Sequence, residues 1–513
     1  MNYSLLLSAA ALGLVLCLAL EPVALLLLLG WPVTTAHLVC AYLVFLGTLS
    51  LSIAAYRLSP FHPLAQYPGP AMGKVTKLWG MWIAWRGYRH LYCKKLHVTY
   101  GPYVRIGPNE LSVIDGPAVR QILNSGGLDK GRYYDTGNHD YTPRTIVSLT
   151  GEAHTAKRRV WNRAMTSAAI REYDQLLVKR TSQLLSRLGE QNGTLDLVAW
   201  FDLFAFGGGF EMLRAGEDAD GVGSRIRSFM KASSVAGQIP WIVSTLHLFP
   251  PVGRTIKEFN QFAQGLAIQR VKNGARGTKD LWYHLATGLE KIKPTVESSA
   301  ADGVVGVIAA SDTTASALSS LVWFLLSNPK YYSRVQSELD STFVNGDDPF
   351  DVTKHEQLEF LSACINETLR LHPPLPSSGS RQVKPNEGAR TIAGRVIPEG
   401  TSVFLPSYSL HRSPEYFFPH PDQFIPDRWL PGSDFEKHDT SLFIPFSLGP
   451  ASCVGQKFAR RELLMVLTAL FKSFRLSFAD GFNSAAWPTY IHDYFVVTRG
   501  PLRVNLTRRH NDL

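Results

Sequence analysis

Residues 443–463 read Phe-Ile-Pro-Phe-Ser-Leu-Gly-Pro-Ala-Ser-Cys-Val-Gly-Gln-Lys-Phe-Ala-Arg-Arg-Glu-Leu. A turn-rich loop containing Gly449 and Pro450 leads to Cys453, and an apolar helical pattern begins after Gly455. Small residues let the backbone N–H groups of such a loop surround one sulfur, and the start of a helix adds partial positive charge. Both effects favour the thiolate. The stretch therefore predicts a metal-bound cysteine as the single protein ligand; the alternative is an inert cysteine packed like a small hydrophobe.

This loop resembles the cysteine loop of the cytochrome P450 family. The family pattern is Phe, two residues, Gly, one residue, Arg, one residue, Cys, one residue and Gly. The matching positions are Phe446, Gly449, Cys453 and Gly455. The resemblance implies that Cys453 is the proximal ligand of a haem b iron, where a thiolate favours O–O cleavage. Ala451 stands where the family usually has Arg, so another residue must make that contact with a haem carboxylate.

Composition excludes several classes of protein. The chain has 513 residues, a net charge of +10 and 45% hydrophobic residues. Length alone suggests about three domains, but no internal repeat or low-complexity linker divides the chain. The spread of basic charge is consistent with an anionic membrane surface or an acidic partner, and no compact basic tract points to nucleic acid. Five scattered cysteines indicate a reducing compartment and not a disulfide scaffold.

Residues 1–57 predict an N-terminal membrane anchor. Apolar runs at 4–20 and 36–56 each approach the roughly 20 residues that a membrane-spanning helix needs. Glu21 interrupts the first apolar region, so one span or two both remain open. A cleaved signal peptide is the alternative for the first run, but the run lacks a basic start. Arg57 is the first basic residue, which predicts that the rest of the chain is cytoplasmic, at the endoplasmic reticulum by resemblance to the family.

The remainder is predicted to be one large catalytic domain. Residues 58–70 form a proline-rich, stiff hinge, and residues 71–513 form the domain. By resemblance the fold class is mainly α with small β-sheets, the cytochrome P450 fold behind an N-terminal transmembrane anchor. Patterns and turn signals predict strands at 103–106, 110–114, 391–405 and 491–507 and helices at 151–165, 169–189, 196–214 and 295–327.

The predicted helix 295–327 carries polar residues in an apolar middle. A carboxyl group is costly there unless it has partners or a function. The stretch resembles the family pattern Ala/Gly-Gly-x-Asp/Glu-Thr-Thr/Ser at Ala309, Asp312, Thr313 and Thr314. Ala310 replaces the usual Gly and narrows the space over the iron. The resemblance implies that Asp312 and Thr313 deliver protons to dioxygen at the haem.

Glu367 and Arg370 lie three apart on the next predicted helix and therefore share a face. As a surface pair they would contribute little to stability. The resemblance instead implies a buried ionic network that supports the cysteine loop. Its third member is Arg428, in Pro426-Asp427-Arg428-Trp429.

The contacts with the haem carboxylates are predicted from basic residues. His154 and Arg158 lie one turn apart on one helical face, where the family often has Trp-x-x-x-Arg. Arg381 follows the Glu367 helix, at a point where the family binds a haem carboxylate. The alternative for these residues is a solvated basic face.

The resemblance implies a haem-thiolate monooxygenase that inserts one oxygen atom into a lipophilic substrate. The segments 62–70 and 100–109 are similar to fungal members, many of which oxidise terpenoids or polyketides in secondary metabolism. Residues 131–147 and 235–251 would roof the active site.

Electrons must come from a separate protein, NADPH-cytochrome P450 reductase, because the chain has no Gly-rich dinucleotide fingerprint after a strand. Lys457, Arg460 and Arg461 are candidates for the docking face, or else are solvated helix charges. Two other functions remain open: a haem-thiolate isomerase or dehydratase, and a non-catalytic haem-binding protein. Asp312 and Thr313 argue against the isomerase, which needs no proton relay.

Overall fold

The structure, a computed structural model, describes residues 20–135, 144–206, 212–218, 221–240, 281–286, 295–344, 346–433 and 438–509, with a few single positions between them. Helices dominate these residues and strands form small sheets, which confirms the predicted fold class. The helices are α1 Thr35–Leu58, α2 Ala71–Val75, α3 Lys77–Trp85, α4 Arg89–Tyr100, α5 Gly116–Leu123, α6 Gly151–Ala164, α7 Ser167–Gly189, α8 Leu197–Phe206, α9 Met212–Ala215, α10 Val222–Ala236, α11 Leu281–Ala286, α12 Val296–Ser327, α13 Pro329–Thr342, α14 Val352–His355, α15 Glu359–Leu371, α16 Ser407–Leu410 and α17 Gln456–Ser473.

The strands form one larger sheet and three small ones. They are β1 Tyr103–Gly107, β2 Glu110–Val113, β3 Asp129–Lys130, β4 Thr194–Asp196, β5 Arg381–Gln382, β6 Arg390–Ile392, β7 Arg395–Ile397, β8 Ser402–Phe404, β9 Phe474–Phe478, β10 His492–Tyr494, β11 Val496–Thr498 and β12 Arg503–Arg508. The largest sheet has the order β1-β2-β8-β5-β3, in which only β2 and β8 run parallel. The others pair β4-β12-β9, β10-β11 and β6-β7.

Most predicted elements have close counterparts. The strands predicted at 103–106 and 110–114 are β1 and β2, and the helix predicted at 295–327 is α12. The stretch 391–405 is broken into short strands because the chain turns at Gly394 and Gly400, both with positive φ. The helix predicted at 196–214 is two helices, α8 and α9, and the residues between them lie outside the described part of the chain.

The core is built around α12. Leu318, Val322 and Leu325 are fully buried in the largest apolar cluster, which also includes side chains of α8, α15, α17 and the C-terminal strands. A helix that is apolar on most of its faces is stable only when protein surrounds it or when it lies in lipid. In α12 the protein provides the cover, because 61% of its most apolar window is buried.

The N-terminal helix α1 differs from α12 in this respect. Both helices are long and apolar enough to cross a membrane, but the apolar window of α1 has a hydropathy of 2.1 and none of it is buried. Such a helix is compatible with a membrane anchor. Residues 20–28 are also helical, and residues 1–19 lie outside the described chain, so the number of spans stays a prediction.

The end of α1 is tied to the catalytic domain. The Arg105 side chain is 1% exposed and donates to the carbonyl of Arg57 at 2.9 Å and to that of Pro108. Arg57 in turn donates to the carbonyl of Val75 at 2.6 Å. These bonds connect the last turn of α1 to β1 and α2, on either side of the proline-rich segment 58–70.

Candidate active site

The Cys453 loop is closed by its own backbone and clamped against α5. The N–H of Cys453 donates to the carbonyl of Phe446 at 2.8 Å. Gly449 has φ +67°, and a Cβ there would come within 2.2 Å of the carbonyl oxygen of Leu123, the last residue of α5. Only glycine fits this position, because both the backbone angle and the space exclude a side chain. The α-helix α17 begins at Gln456, three residues beyond the cysteine.

The Cys453 sulfur is accessible but lies among protein groups. The residue is exposed to solvent on one side. The protein atoms that surround the sulfur on its other sides still desolvate it, which raises the pKa of the thiol above its ordinary value, while the N–H of Gly455 and the charge of Arg158 lower that pKa. The predicted influences on the thiolate are thus present, but desolvation outweighs them. A bound metal ion would supply the remaining stabilisation of the thiolate.

Arg158 links α6 to the cysteine loop. Its guanidinium donates to the main-chain carbonyl of Ser452, the residue before the cysteine, and to the Ser452 hydroxyl at 3.4 Å. The Nε atom donates to Asn162 Oδ1 at 2.9 Å, one turn further along α6. Arg158 therefore holds the loop in place as well as placing a positive charge beside the sulfur.

A cavity of about 90 Å³ beside this loop is lined by basic groups. Its walls include His154 and Arg381, two of the predicted residues, together with Lys130 and Ala451. The first turn of α6 also lines it and contributes the positive end of a helix dipole. Ala451 stands where the family pattern has an arginine, so the site lacks that guanidinium group. Lys130 of β3 contributes an additional basic group instead.

The basic groups of this cavity repel one another. Burial and the charges of Arg381 and Arg158 lower the pKa of Lys130 to about 7. Burial, followed by the charges of Lys130, Arg158 and Arg381, lowers the pKa of His154 to about 4. An anion in the cavity would reverse both shifts, because an opposite charge favours the protonated forms. The cavity therefore fits the carboxylates of the haem that the cysteine loop implies.

Lys130 was missed by the sequence reasoning. It lies in a two-residue strand and belongs to no motif. Its Nζ donates to the carbonyl of Ile146 at 2.6 Å, and the neighbouring Asp129 is paired with Lys384 instead. The three-dimensional pairing of β3 with β5 brings Lys130 opposite Arg381, and both residues line the cavity.

The middle of α12 presents two different sides. Ala309, Ala310 and Thr313 share one helical face; both alanines are exposed and Thr313 is partly exposed. The hydroxyl of Thr313 donates to the carbonyl of Ala309 at 2.7 Å, the back-bond typical of a helical threonine. Asp312 is 3% exposed, and burial raises its pKa to about 6. Asp312 is buried whereas Thr313 is partly exposed, and successive residues of a helix point about 100° apart, so the two predicted relay groups lie in different surroundings.

Helix α12 shares packing with the cysteine loop and contacts its helix. Val305 and Val454, the residue after the cysteine, both pack against the apolar cluster of Ile146, Trp161 and Leu285. The Thr314 hydroxyl donates to Glu462 Oε2 of α17 at 3.1 Å, and burial raises the pKa of Glu462 to about 7. Val305 lies one turn before Ala309, so the exposed face of α12 continues the side of the helix that shares this cluster with the Cys453 loop. Glu462 was not predicted, although an acidic residue inside an apolar helical pattern was a signal for it.

The predicted ionic residues form a fully buried network. Glu367 accepts two bonds from Arg370 at 2.8 Å and one from Arg428 at 3.1 Å, and none of the three side chains is exposed. Trp429 Nε1 and the N–H of Ile425 also donate to the carboxylate. Burial opposes ionisation of Glu367, but the bonds and charges of the arginines hold its pKa below the usual value.

The network reaches the cysteine loop through His411. Arg370 donates to the carbonyl of His411 at 2.7 Å. The ring nitrogen Nε2 of His411 accepts from the N–H of Ile444 at 3.0 Å, at the start of the loop segment. The Trp429 ring also lies 4.5 Å from that of Phe443. Glu367 therefore fixes the support on which the loop is built.

The basic residues of α17 differ in their availability. Arg461 is paired with Asp174 of α7, and Arg460 donates to Asn366 and stacks on Phe446. Lys457 is exposed. Of the three residues proposed for docking, only Lys457 is fully available to a partner. In the segments expected to roof the site, 131–147 and 235–251, residues 136–143 and 241–251 lie outside the described part of the chain.

Comparisons with known proteins place this site in a family context. The cytochrome P450 family model matches residues 66–485. The chain is 32% identical over 497 residues to cytochrome P450 monooxygenase FCK2 of Fusarium pseudograminearum, covering 93% of this chain and 88% of that protein. It is 32% identical to cytochrome P450 monooxygenase orf5 of Eupenicillium brefeldianum, covering 90% and 94%. It is 30% identical to tryprostatin B 6-hydroxylase of Aspergillus fumigatus, covering 91% and 84%. The predicted similarity to fungal monooxygenases is confirmed.

Replacing Glu367 with Gln is expected to destabilise the protein by about 3–5 kcal/mol, because Arg370 and Arg428 would become buried charges without a counter-charge. Urea unfolding and the haem-loaded fraction of expressed protein measure the effect. Since the pKa of Glu367 is lowered, this contribution is present above pH ~4.3 and is lost as the pH falls through the lowered value. The exposed Glu356→Gln is the control and should change stability by less than about 0.5 kcal/mol. Equal stability and haem content of the two variants would contradict the assignment.

Haem affinity is expected to fall as the pH rises above 7, by up to about tenfold per unit, because Lys130 must take up a proton to meet a carboxylate. Exchange of haem with a scavenging protein of known affinity, over a range of pH, measures this. In Lys130→Met the affinity should be lower at neutral pH and this pH dependence should be lost. Lys384→Met, which removes a partly exposed lysine paired with Asp129, should keep it. The same pH dependence in both variants would show that Lys130 does not bind the haem.

Proposed function

Because the chain belongs to the cytochrome P450 family, we propose that it inserts one oxygen atom from O2 into a lipophilic secondary metabolite, of terpenoid or polyketide type, while the other atom leaves as water. The family is one of haem-thiolate oxidoreductases, and the named relatives are fungal monooxygenases. The main support is the exposed face of α12, with Ala309, Ala310 and Thr313, on a helix that packs against the same apolar cluster as Val454 of the Cys453 loop.

The haem residues divide into a metal ligand and a set of cations. Cys453 would hold the haem iron through its thiolate, and bound haem would supply the activation of dioxygen that such a ligand promotes. His154, Arg381 and Lys130 line the cavity that suits the haem carboxylates, and Arg158 holds the loop at Ser452. Phe446, Gly449 and Gly455 shape the loop around the sulfur. The two arginines and Lys130, which an anion would keep protonated, supply the positive charge that Ala451 lacks.

Asp312 and Thr313 have complementary parts in proton delivery. With a pKa raised to about 6, Asp312 holds its proton more readily than an ordinary aspartate and can act as an acid near neutral pH. The Thr313 hydroxyl, partly exposed on the apolar face, is placed to pass a proton toward the reacting oxygen. This arrangement supports monooxygenation over isomerisation or dehydration, which needs no external proton.

We also propose the cellular setting. The apolar helix α1 anchors the protein in the endoplasmic reticulum membrane, residues 58–70 act as the hinge, and residues 71–513 form the cytoplasmic domain. The exposed side chains of Phe61 (86%), shortly after α1, and of Trp85 (56%), at the end of α3, support contact with a membrane surface. Electrons come from NADPH through a separate reductase at the same membrane, with Lys457 in its docking face.

Replacing Thr313 with Ala tests the proposed reaction. The variant should consume NADPH but form at least about tenfold less product per NADPH, because the hydroxyl that passes the proton is gone. The assay contains the membrane-bound protein, reductase and lipophilic candidates that bind to it, and measures NADPH, product and hydrogen peroxide. Thr313→Ser keeps the hydroxyl and should remain coupled. A fully coupled Thr313→Ala enzyme would exclude the relay role.

A further inference from the structure

A buried arginine lies between two carboxylates beside α12. The Arg499 side chain, which follows β11, is 2% exposed. It donates to Asp202 Oδ1 of α8 at 2.5 Å and to the main-chain carbonyl of Asp312 at 3.2 Å. The Asp312 carboxylate itself is 3.8 Å away, beyond hydrogen-bond distance. Arg499 is therefore bonded to Asp202, while its charge still reaches Asp312.

Asp202 connects this arginine to the surface. Its second oxygen accepts from Arg227 of α10 at 3.3 Å, and the Arg227 side chain is 37% exposed. Burial raises the pKa of Asp202, against the charges of both arginines. Each carboxyl oxygen of Asp202 nevertheless accepts a hydrogen bond from a guanidinium group, and such bonds favour the ionised form of the side chain. A chain of charged groups thus runs from solvent at Arg227 to Asp312.

Burial has the largest effect on the pKa of Asp312, and Arg499 is the charged group with the next largest effect. Among the residues that the structure describes, the charged groups that face Asp312 are Arg499, Asp202 and Arg227, while Glu462 of α17 bonds the neighbouring side of the helix at Thr314. Burial and the negative charge of Asp202 favour the neutral acid, and the arginines favour the carboxylate. If the Arg499 side chain turned from Asp202 to Asp312, the Asp312 carboxyl group would become a tightly paired anion and therefore a poor proton donor.

We propose that Arg499 and Asp202 are positioning residues for proton delivery: Asp202 holds Arg499 away from the Asp312 carboxyl group, which keeps a transferable proton. After Asp312 gives up its proton, the guanidinium at 3.8 Å stabilises the carboxylate until a proton from solvent replaces it. This inference rests on the relay role of Asp312 in the proposed function.

Two substitutions should shift Asp312 in opposite directions. Asp202→Asn removes the like charge and frees Arg499, so the apparent pKa of Asp312 should fall by about one unit. Arg499→Gln removes the stabilising cation, so the pKa should rise by a similar amount, and Arg499→Lys should restore it in part. Infrared difference spectra of the holoenzyme at varied pH measure the carboxyl band, which Asp312→Asn assigns. Asp174→Asn, at the separate Arg461 pair, should leave the band unchanged.

The pH profile of coupling, as product formed per NADPH, supplies the second measurement. It should move with the infrared pKa, to lower pH in Asp202→Asn and to higher pH in Arg499→Gln. General damage to the fold would impair both variants in the same way. Shifts of the Asp312 pKa with the same sign in both variants, or no shift in either, would therefore overturn the inference while leaving the proposed function intact. Opposite infrared shifts with an unchanged coupling profile would overturn the relay role of Asp312, and with it this inference.

Discussion

The buried carboxylate of Glu367 is the constraint on which the proximal side of the molecule depends. It joins Arg370 of α15 to Arg428 and Trp429 in a later, irregular segment, with no exposure to solvent. Through the carbonyl and ring of His411, the same network reaches Ile444 and the cysteine loop. Such a network is costly to desolvate but highly specific, because each buried charge needs all its partners. It fixes the geometry of a loop that has little regular structure of its own.

The site combines this rigid support with an unequal distribution of charge. Cations gather where an anionic cofactor edge fits, and burial together with their mutual repulsion lowers the pKa values of Lys130 and His154. Burial raises the pKa values of two acids, Asp312 on α12 and Glu462 on the neighbouring α17. The face of α12 with Ala309, Ala310 and Thr313 is, by contrast, nearly apolar. Perturbed titratable groups are typical of active sites.

Sequence reasoning was most successful where chemistry is encoded locally. The helix α12 follows from its apolar length, and the pairing of Glu367 with Arg370 follows from helical spacing. Lys130 and Arg499 were missed because their roles arise from contacts with residues hundreds of positions away, at Arg381 and Asp202. The docking role proposed for Arg461 overlooked its pairing with Asp174, another long-range contact. Family patterns supplied roles that spacing alone leaves open.

Every role proposed for the cysteine loop depends on the binding of haem iron by the Cys453 thiolate. The carbon-monoxide difference spectrum of the reduced, membrane-expressed protein, compared with that of Cys453→Ala, measures this binding directly. The natural protein should show the band of thiolate-ligated haem, and the variant should lose it. A well-folded natural protein without that band, or a variant that keeps it, would show that Cys453 is not the ligand.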